Sequence, residues 1–393
     1  MMSKVYFISS RADSRDRSLD KYRRLLKTLD LGQVVDQGDL VAIKTSFGEH
    51  GNFTYLRPQY VRVVVDEVKR LGGRPFLTDA NTLYAGGRHN SRDHLITAME
   101  NGFGYEVTGA PIVIADGLVG RDYRLVPVQG VHFQEVKVAS VPLDADALIS
   151  LAHFKGHMVC GFGGTIKNLG MGFGARPGKQ MMHSDVHPEV NAGQCDGCAR
   201  CRKWCPEGAI TMVEASEAAG GGRGRKVALI DDAACIGCGE CVATCVTGAI
   251  GIVWKSDPGI VQEKTAEYMA GVLSEKAGKF AAIDYILSVT PDCDCLGWSD
   301  NAIVPDIGIA ASTDPVALDS AALDLVNAAM GIAGSALPEA ELGATDKFGA
   351  IHHGIDPTAQ LVHAEKLGLG SRAYELVNLD KSDSKRHKKS NDE

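Results

Sequence analysis

The sequence predicts an α/β fold in which mostly parallel sheets are flanked by helices, with a cysteine-rich domain inserted into the body. Two observations predict the body: short apolar runs alternate with helical periodicity before residue 188 and again after residue 256. The runs lack the polar alternation of half-exposed strands, as expected where helices cover both faces of a sheet. The insert is predicted by the cysteines, because eight of the 11 fall between Cys195 and Cys245.

Residues 1–188 are predicted to form the N-terminal part of the body. Ser18 is a candidate cap for an amphipathic helix, and Pro58 opens a second helix that Gly72 ends. Strands are predicted at residues 5–8, 40–44, 75–79, 112–116 and 147–152. Because ligands of parallel sheets gather at the carboxyl ends of strands, we expect Lys44 and Asp79 near the loop after residue 152.

Residues 256–380 are predicted to complete the body, after an insert that spans residues 189–255. Helices are predicted at residues 264–273, from Asp314-Pro315 to about residue 329, and at 357–367. Strands are predicted at residues 283–289, 307–311 and 374–379. The polar and charged end, residues 381–393, is predicted to be disordered.

The insert contains two cysteine runs with the same spacing. They read Cys195-x2-Cys198-x2-Cys201-x3-Cys205-Pro206 and Cys235-x2-Cys238-x2-Cys241-x3-Cys245. In such runs three thiolates wrap one cubane cluster, and the fourth reaches the neighbouring cluster. We therefore predict one 4Fe–4S cluster on Cys195, Cys198, Cys201 and Cys245, and another on Cys205, Cys235, Cys238 and Cys241. Zinc ribbons group their ligands as two cysteine pairs, which is a different pattern.

These runs resemble a two-cluster bacterial ferredoxin and depart from it at Val246, where a second proline would stand. That proline shapes a turn and ligates nothing, so the predicted ligand sets are unaffected. The resemblance implies electron transfer. Thiolate-bound clusters need reducing surroundings, so a cytoplasmic location is expected.

Charge and hydropathy exclude two classes of partner. The net charge of −8 lacks the basic face that nucleic acids require, and no run of 18 apolar residues predicts a membrane span. Because two clusters would add negative charge, we expect a redox partner protein with a basic docking face.

A second candidate site lies between the last N-terminal strand and the first cysteine run. Seven glycines fall between residues 156 and 174, and glycine lets backbone amides approach and cradle an anion. The candidate cofactor-binding residues are Lys44, Gly163, Gly164, Lys167 and Gly170, with Asn168 as a hydrogen-bond donor. No phosphate-loop signature is present, so a small anionic substrate, a flavin, a nucleotide or a further metal all stay open. The alternative is a flexible loop without function.

Three segments carry a family resemblance. They are the loop with His157, residues 161–172 and His183, the run Pro291-Asp-Cys-Asp-Cys295, and Asp306-Ile-Gly-Ile with Ser312-Thr-Asp-Pro-Val-Ala-Leu-Asp319. Together they resemble the iron–sulfur proteins of the family called domain of unknown function 362. The resemblance covers the chain to about residue 380, and it implies two clusters and an α/β body.

A more distant resemblance concerns mechanism. His157, Lys167 and His183 stand at the spacings of a catalytic set in the lactate racemase family, and His89 matches a further catalytic histidine there. The resemblance implies a shared fold. It also implies that Lys167 tethers a nickel pincer nucleotide, that His183 ligates nickel and that His157 moves a proton. Asn168-Leu169-Gly170 replaces the Pro-Gly continuation of that family.

Three cysteines lie outside the two runs, namely Cys160, Cys293 and Cys295. The pair in Cys293-Asp294-Cys295 follows a predicted strand. These thiols can ligate a further metal, form a redox dithiol or be ordinary cysteines, and the sequence leaves all three readings open.

The leading prediction is an iron–sulfur oxidoreductase, a reductase that passes electrons through two clusters to a small anionic substrate or cofactor bound by residues 153–183. Lys167 would bind the anion, and His157 and His183 would donate protons or ligate a metal. One alternative is an electron carrier or adaptor without its own catalysis. The other is a racemase-like metal enzyme that uses His157, Lys167 and His183.

Overall fold

The computed structural model describes residues 2–84, 86–183, 188–215, 225–235, 237–251 and 257–380, so the disorder predicted for 381–393 lies outside the described residues. The helices are α1 (Ser18–Leu29), α2 (Pro58–Arg70), α3 (Ser91–Glu100), α4 (Tyr105–Thr108), α5 (Ser140–Asp144), α6 (Thr165–Phe173), α7 (Arg176–His183), α8 (Arg200–Trp204), α9 (Glu240–Thr244), α10 (Pro258–Leu273), α11 (Pro315–Ala328), α12 (Lys347–Ile351) and α13 (Ala359–Lys366). The strands are β1 (Ser3–Ser9), β2 (Leu40–Lys44), β3 (Arg74–Asp79), β4 (Ile112–Ile114), β5 (Tyr123–Pro127), β6 (Glu135–Ala139), β7 (Ala147–His153), β8 (Lys155–His157), β9 (Gly161–Gly163), β10 (Glu189–Val190), β11 (Ile210–Glu214), β12 (Lys226–Ile230), β13 (Ile250–Gly251), β14 (Phe280–Ile286), β15 (Gly308–Ser312) and β16 (Tyr374–Asn378).

Eight strands form one central sheet, and both parts of the body contribute to it. The strand order is β16-β1-β15-β14-β7-β2-β3-β4. Strand β15 runs antiparallel to both of its neighbours, and the other neighbouring pairs are parallel. Every residue of β7, β14 and β15 is buried, which explains why these strands are mostly apolar and lack polar alternation. The predicted α/β fold with a mostly parallel sheet is confirmed.

Alternate residues of the central strands face two apolar layers. In β14, Ala281 and Ile283 belong to the layer that contains the buried faces of α1 and α2. Ala282 and Ile286, on the other side of the sheet, belong to the layer that contains α6, α10 and α11. The strands are therefore covered on both faces, and α6 is packed directly against the sheet.

Most predicted helices differ from the observed ones only near their ends. Ser18 is the first residue of α1 and not its cap, because Arg17 occupies the cap position without a side-chain bond. The sequence analysis missed α3, whose sequence is mostly polar and whose start is capped by the Asn90 side chain. No helix in the described part of the chain combines the length and apolarity that crossing a membrane requires.

The cysteine-rich segment folds outside the central sheet, as two strand pairs and two short helices. Strand β10 pairs with β13, β11 pairs with β12, and α8 contacts α9. The two cysteine runs share backbone geometry, since φ is 74° at Gly197 and 66° at Gly237, and 58° at Ala199 and 75° at Gly239. These left-handed residues turn each loop back between its cysteines.

Glu240 anchors this cysteine-rich module to the body. Its buried carboxylate accepts hydrogen bonds from Arg121 Nη2 at 2.8 Å, from the Tyr123 hydroxyl at 2.6 Å and from Lys137 Nζ at 3.2 Å. Burial works to raise the pKa of Glu240, but these donors outweigh burial and lower it. The module is therefore held by a charged, hydrogen-bonded contact next to Cys241.

Gly239 makes a second contact between the module and the body. A Cβ at this position would lie 2.6 Å from Cβ of Gln180 and 2.8 Å from the carbonyl oxygen of Pro177, both on α7. The equivalent position in the first run is Ala199, which tolerates a side chain. Gly237, by contrast, has open space around its Cα.

We predict that Gly239→Ala destabilises the protein more than Gly237→Ala. Both variants place alanine in the left-handed region, at a cost of about 1–2 kcal/mol, but only the Gly239 variant also overpacks α7, which adds about 1–3 kcal/mol. The thermal midpoints of the two anaerobically purified variants measure the difference. Equal midpoints would show that the contact between Gly239 and α7 does not hold the module.

Candidate functional site

The candidate site is a cavity of about 450 Å³ at the carboxyl ends of β2, β3 and β7. Lys44 and Asp79 are the last residues of β2 and β3, and both line the cavity. The hairpin of β8 and β9, which follows β7, supplies Lys155 and His157. The structure thus brings together the strand ends and the loop that were expected to meet.

The described wall of the cavity carries more positive than negative side chains. Its cationic residues are Lys44, Arg88, Lys155, Lys167 and Lys179, and its carboxylates are Asp79 and Asp292. Other carboxylates that compensate the cations, Glu49 and Asp294 among them, lie behind the wall. The positive side chains therefore face the cavity, which suits an anionic ligand.

Lys44 joins β2 to β3 and to α6. Its Nζ lies 2.9 Å from Oδ1 of Asp79 and donates to Oδ1 of Asn168 at 3.0 Å. Burial lowers the pKa of Lys44, and the Asp79 carboxylate opposes that effect. Asn168 in turn donates to Oγ of Ser150 on β7 at 2.9 Å. Asn168 is thus a link between three elements of the wall.

Asp319 on α11 fixes the start of α6, which carries Lys167 and Asn168. Its carboxylate accepts the backbone N–H of Thr165 at 2.7 Å and that of Ile166 at 2.8 Å. A negative charge at a helix N-terminus is favourable, because the first N–H groups have no partner within the helix. Asp319 therefore caps α6 from a distant part of the chain.

Asp284 on β14 completes this network as a neutral carboxyl group. Thr165 Oγ1 donates to Oδ1 of Asp284 at 2.8 Å. Burial and the neighbouring Asp319 raise the pKa of Asp284 well above its usual range, which favours the neutral form of this group. The negative charge of the pair therefore stays on Asp319, at the start of α6.

Two backbone amides at the expected anion cradle have a partner within the protein. The N–H groups of Thr165 and Ile166 are bound by Asp319, and a Cβ at Gly164 would lie 2.4 Å from Oδ1 of that carboxylate. Gly164, which also lines the cavity, is therefore needed for the approach of Asp319. Side-chain cations, instead of amides, give the cavity its positive character.

The other glycines of the loop serve close packing. A Cβ at Gly170 would lie 2.0 Å from the carbonyl oxygen of Thr265, so this residue lets α6 approach α10 and does not line the cavity. A Cβ at Gly172 would lie 2.8 Å from Nζ of Lys44, and one at Gly163 would lie 3.1 Å from Cδ of Lys167. Because Gly172 and Gly163 have no Cβ, there is room for the side chains of Lys44 and Lys167.

Lys167 contacts a thiol. Its Nζ lies 3.1 Å from Sγ of Cys293. Burial works to lower the pKa of Lys167, but Cys293 and Cys295 outweigh burial and raise it. A hydrogen bond from the Cys295 thiol lowers the pKa of Cys293 well below its usual range, with a further contribution from Lys167. Cys293 is therefore a thiolate paired with a lysine ammonium, and Cys295 remains a thiol.

His157 and His183 both line the cavity near Lys167. Nδ1 of His157 accepts the backbone N–H of Val159 at 3.1 Å and that of Cys160 at 3.0 Å. Burial and then Lys167 hold the pKa of His157 well below its usual range, and burial lowers the pKa of His183 to about 3. His157 is therefore neutral with its proton on Nε2, where it can donate a hydrogen bond.

Besides Gly163 and Gly170, two predicted site residues outside the cysteine runs do not line the cavity. His89 lies in a loop outside it, with Nδ1 at 3.1 Å from the carbonyl oxygen of Gly86. Cys160 is fully buried behind the wall, and burial raises the pKa of its thiol to about 12. The structure thus separates His89 from His157, Lys167 and His183.

One group in the described part of the chain brings metal-ligating atoms together. His157, Cys293 and Cys295 each offer an atom, and these atoms lie within 4.8 Å of one another. Two sulfurs and one imidazole suit zinc or another soft divalent metal. The group is therefore a possible metal site within the cavity wall.

None of the 11 cysteines is in a disulfide. Around one small pocket of the module lie Cys205, Cys235, Cys238 and Cys241. The pKa of the Cys201 thiol is raised first by burial and then by Cys245, Cys195 and Cys198. Cys201 and these three cysteines therefore also lie together. The fourth cysteine of each run thus lies beside the other run.

Several residues that form the site were not predicted from the sequence. They are Arg88, Lys155, Lys179, Asp284 and the capping role of Asp319. Lys155 stands two residues before His157 and could have been included on position alone. The two aspartates gave no usable signal, because a carboxylate that caps a helix from another segment has no fixed spacing from it.

We predict that Asp319→Asn costs about 2 kcal/mol of unfolding free energy, because an amide cannot accept both N–H groups and one buried donor loses its partner. Asp284→Asn is the matched control, since Asp284 is already neutral and an amide oxygen can still accept the hydrogen bond from Thr165 Oγ1. Thermal or denaturant midpoints at pH 7 measure both. A loss as large for Asp284→Asn as for Asp319→Asn would contradict this assignment of the charge.

Comparisons with known proteins place the chain among its relatives. It is 27% identical over 197 residues to the thylakoid-associated protein sll1697 of Synechocystis, a match that covers 49% of this chain and 57% of that protein. The lactate racemase apoprotein of Thermoanaerobacterium thermosaccharolyticum is 11% identical with a TM-score of 0.37, and the match covers 72% of this chain and 50% of that one. A Thermotoga maritima protein is 9% identical with a TM-score of 0.34, and the match covers 70% of this chain and 52% of that one.

The chain thus spans little more than half the length of the curated relative and about half of each solved structure. A family profile, by contrast, matches residues 41–324, which is most of the chain. The chain therefore belongs to the family described as Domain of unknown function (DUF362).

Proposed function

We propose that this protein is an iron–sulfur oxidoreductase that reduces a small anionic substrate in the cationic cavity. One observation carries the proposal: a module with two four-cysteine sets packs against the wall of a cavity lined by positive side chains. Neither feature alone implies a reductase. Their contact is what favours electron delivery to a bound ligand over simple electron carriage.

The cysteines of the module fit the clusters that their spacing predicts. Cys195, Cys198, Cys201 and Cys245 would hold one 4Fe–4S cluster, and Cys205, Cys235, Cys238 and Cys241 would hold the other. All eight are free, and the pocket within the second set is lined by its four thiols. When bound, such clusters supply one-electron transfer.

Two contacts connect the module with the cavity. Leu83 lines the cavity and packs in the same apolar cluster as Cys195 and Cys201. Helix α7 packs against Gly239 of the second run through Pro177 and Gln180. On the same helix, Lys179 and His183 line the cavity. Each cysteine set therefore has a short protein path to the ligand space.

The residues of the cavity would bind and orient the substrate. Lys167 provides a positive charge next to the thiols, and Lys44 and Lys155 extend the positive wall. Neutral His157 can donate a hydrogen bond from Nε2 to an oxygen of the ligand. A charged imidazolium at the same place would be destabilised by burial and by Lys167. Buried, desolvated donors of this kind hold an anion more strongly than exposed ones do.

A redox partner protein remains part of the proposal. The net charge of −8 favours a partner with a basic docking face. Locally, however, the exposed helix α8 next to the exposed Cys198 carries Arg200, Arg202 and Lys203. A partner that docks on α8 itself would therefore need acidic side chains at that contact.

We expect anaerobically purified protein to contain about eight iron and about eight sulfide per chain, and to show paramagnetic signals after reduction with dithionite. The Cys198→Ser variant, with one ligand of the first set altered, should keep the signal of the second cluster. Metal and sulfide analysis with electron paramagnetic resonance makes the measurement. Colourless protein without iron would remove the electron route and the proposed function.

We also expect reduced protein to be re-oxidised faster by small anionic oxidants than by neutral ones of similar potential. Lys167→Ala should reduce this preference by about tenfold, which corresponds to about 1.4 kcal/mol, and leave the cluster absorbance unchanged. Lys279→Ala is the matched control, because Lys279 pairs with Asp36 and Asp39 outside the cavity. An unchanged preference in Lys167→Ala would show that anions do not react in this cavity.

A further inference from the structure

Cys293 and Cys295 both line the cavity, and the binding roles described above give neither of them a reaction. We propose that they form a redox-active dithiol that reduces small anionic disulfides, with Cys293 as the attacking thiolate and Cys295 as the resolving thiol. The dithiol chemistry stands on the geometry of the cavity. The source of electrons for its regeneration rests on the proposed function.

The first argument is the position of the two sulfurs. Both lie within 4.8 Å of a nitrogen of His157 and of each other. Nζ of Lys167 lies 3.1 Å from Sγ of Cys293, so one thiol of the pair has a cationic neighbour within contact distance. A nearby ammonium group favours the thiolate, which is the form that attacks a disulfide.

The second argument is that the backbone around the pair is firmly held. The Tyr84 hydroxyl donates to the carbonyl oxygen of Cys295 at 2.7 Å. The backbone N–H of Glu49 donates to the carbonyl oxygen of Asp294 at 2.9 Å. The Asp294 side chain is directed away from the cavity and lies 2.9 Å from Nδ1 of His153. The two cysteines on either side of it are therefore kept on the cavity side.

The third argument distinguishes a dithiol from a metal site. The wall is positive, with Lys155 and Lys167 next to the thiols, and such surroundings disfavour a divalent cation. Moreover, Nδ1 of His157 accepts two backbone N–H groups, so the neutral ring keeps its proton on Nε2. A histidine that binds a metal through one nitrogen normally donates a proton from the other, and His157 has the reverse arrangement.

The reaction balances in two steps. The Cys293 thiolate attacks one sulfur of a disulfide R–S–S–R′, forms a mixed disulfide and releases R–S⁻. Cys295 loses its proton and attacks Cys293 Sγ, which forms the Cys293–Cys295 disulfide and releases R′–S⁻. One proton comes from Cys295 and one from solvent, and both leave with the two thiols. The protein has then lost two electrons, and regeneration of the Cys293 thiolate and the Cys295 thiol takes two electrons from a reductant of low potential and one proton from solvent.

The charge and size of the cavity define the substrate class. A volume of about 450 Å³ accepts a small molecule but not a folded protein chain. Lys44, Lys155 and Lys167 would pair with carboxylates on the ligand. The expected substrate is therefore a low-molecular-weight disulfide that carries negative charge.

The test uses anaerobically purified protein and dithiobis(nitrobenzoate), a dianionic disulfide that releases a coloured thiol. The wild-type protein should show a fast phase that releases two coloured thiols and leaves the peptide with Cys293 and Cys295 lighter by two hydrogens. Cys295→Ser should release one thiol in this phase and keep a mixed disulfide on Cys293. Cys293→Ser should lose the fast phase, whereas Cys160→Ser, a buried thiol outside the cavity, should behave as wild type.

The same reaction tests the substrate class. Lys167→Ala should slow the fast phase with dithiobis(nitrobenzoate) by at least about tenfold, but should slow neutral dithiodipyridine less, because that disulfide gains nothing from a positive wall. Equal slowing with both probes would overturn the anionic preference of the site.

Two results would overturn the dithiol. One is that the thiols react only after a chelator removes a metal, which would make the group a metal site. The other is a mixed disulfide on Cys293 that persists in the wild type, which would show that Cys295 does not resolve it. The thiol reaction does not depend on iron. A fast phase in protein that lacks clusters would therefore sustain the dithiol while removing the proposed function.

Discussion

The two hydrogen bonds from α6 to the carboxylate of Asp319 determine where the functional side chains lie. They fix the first turn of the helix, and Lys167 and Asn168 follow within that turn. Without this anchor, the lysine would lose its position against Cys293, and the asparagine its position between Lys44 and Ser150. A carboxylate can stay charged in this buried place because the helix end supplies two donors and a favourable dipole.

Burying cations in the cavity wall costs free energy of desolvation, and anions that pair with these cations offset part of that cost. Buried ammonium and guanidinium groups lose hydration, so each needs a partner. Arg88 has Glu49 and Asp79, Lys155 has Asp294, and Lys167 has the thiolate of Cys293. Because several of these anions lie behind the wall, the ligand space stays positive while the interior stays compensated. A bound anion would offset part of the remaining desolvation.

The cysteine-rich module is internally repeated but sits in unequal surroundings. The two runs share their left-handed residues, yet Gly239 and Glu240 are pressed against the body while the equivalent Ala199 and Arg200 are not. Docking therefore requires glycine at one of two equivalent positions and a buried carboxylate beside it. This asymmetry gives the module one side toward the cavity and one side, with Cys198, toward solvent.

The sequence by itself determined what depends on neighbours along the chain. The cysteine spacing defined two four-thiol runs, the apolar runs defined the strands of a sheet covered on both faces, and Asp314-Pro315 defined the start of α11. These signals are local, because loops, strands and caps are set by residues only a few positions apart. The placement of Lys44, His157 and Lys167 near one site also followed, since parallel strands end at one edge.

Only the tertiary structure decided which distant groups meet. Asp319 reaches Thr165, Cys293 reaches Lys167, and Gly170 lies against Thr265 through the packing of the sheet and helices. The glycines that suggested an amide cradle are required by these contacts. His89, placed with the other histidines by the family resemblance, lies outside the cavity. Spacing along a chain carries no information about such meetings, because they depend on the order and direction of strands that come from both parts of the body.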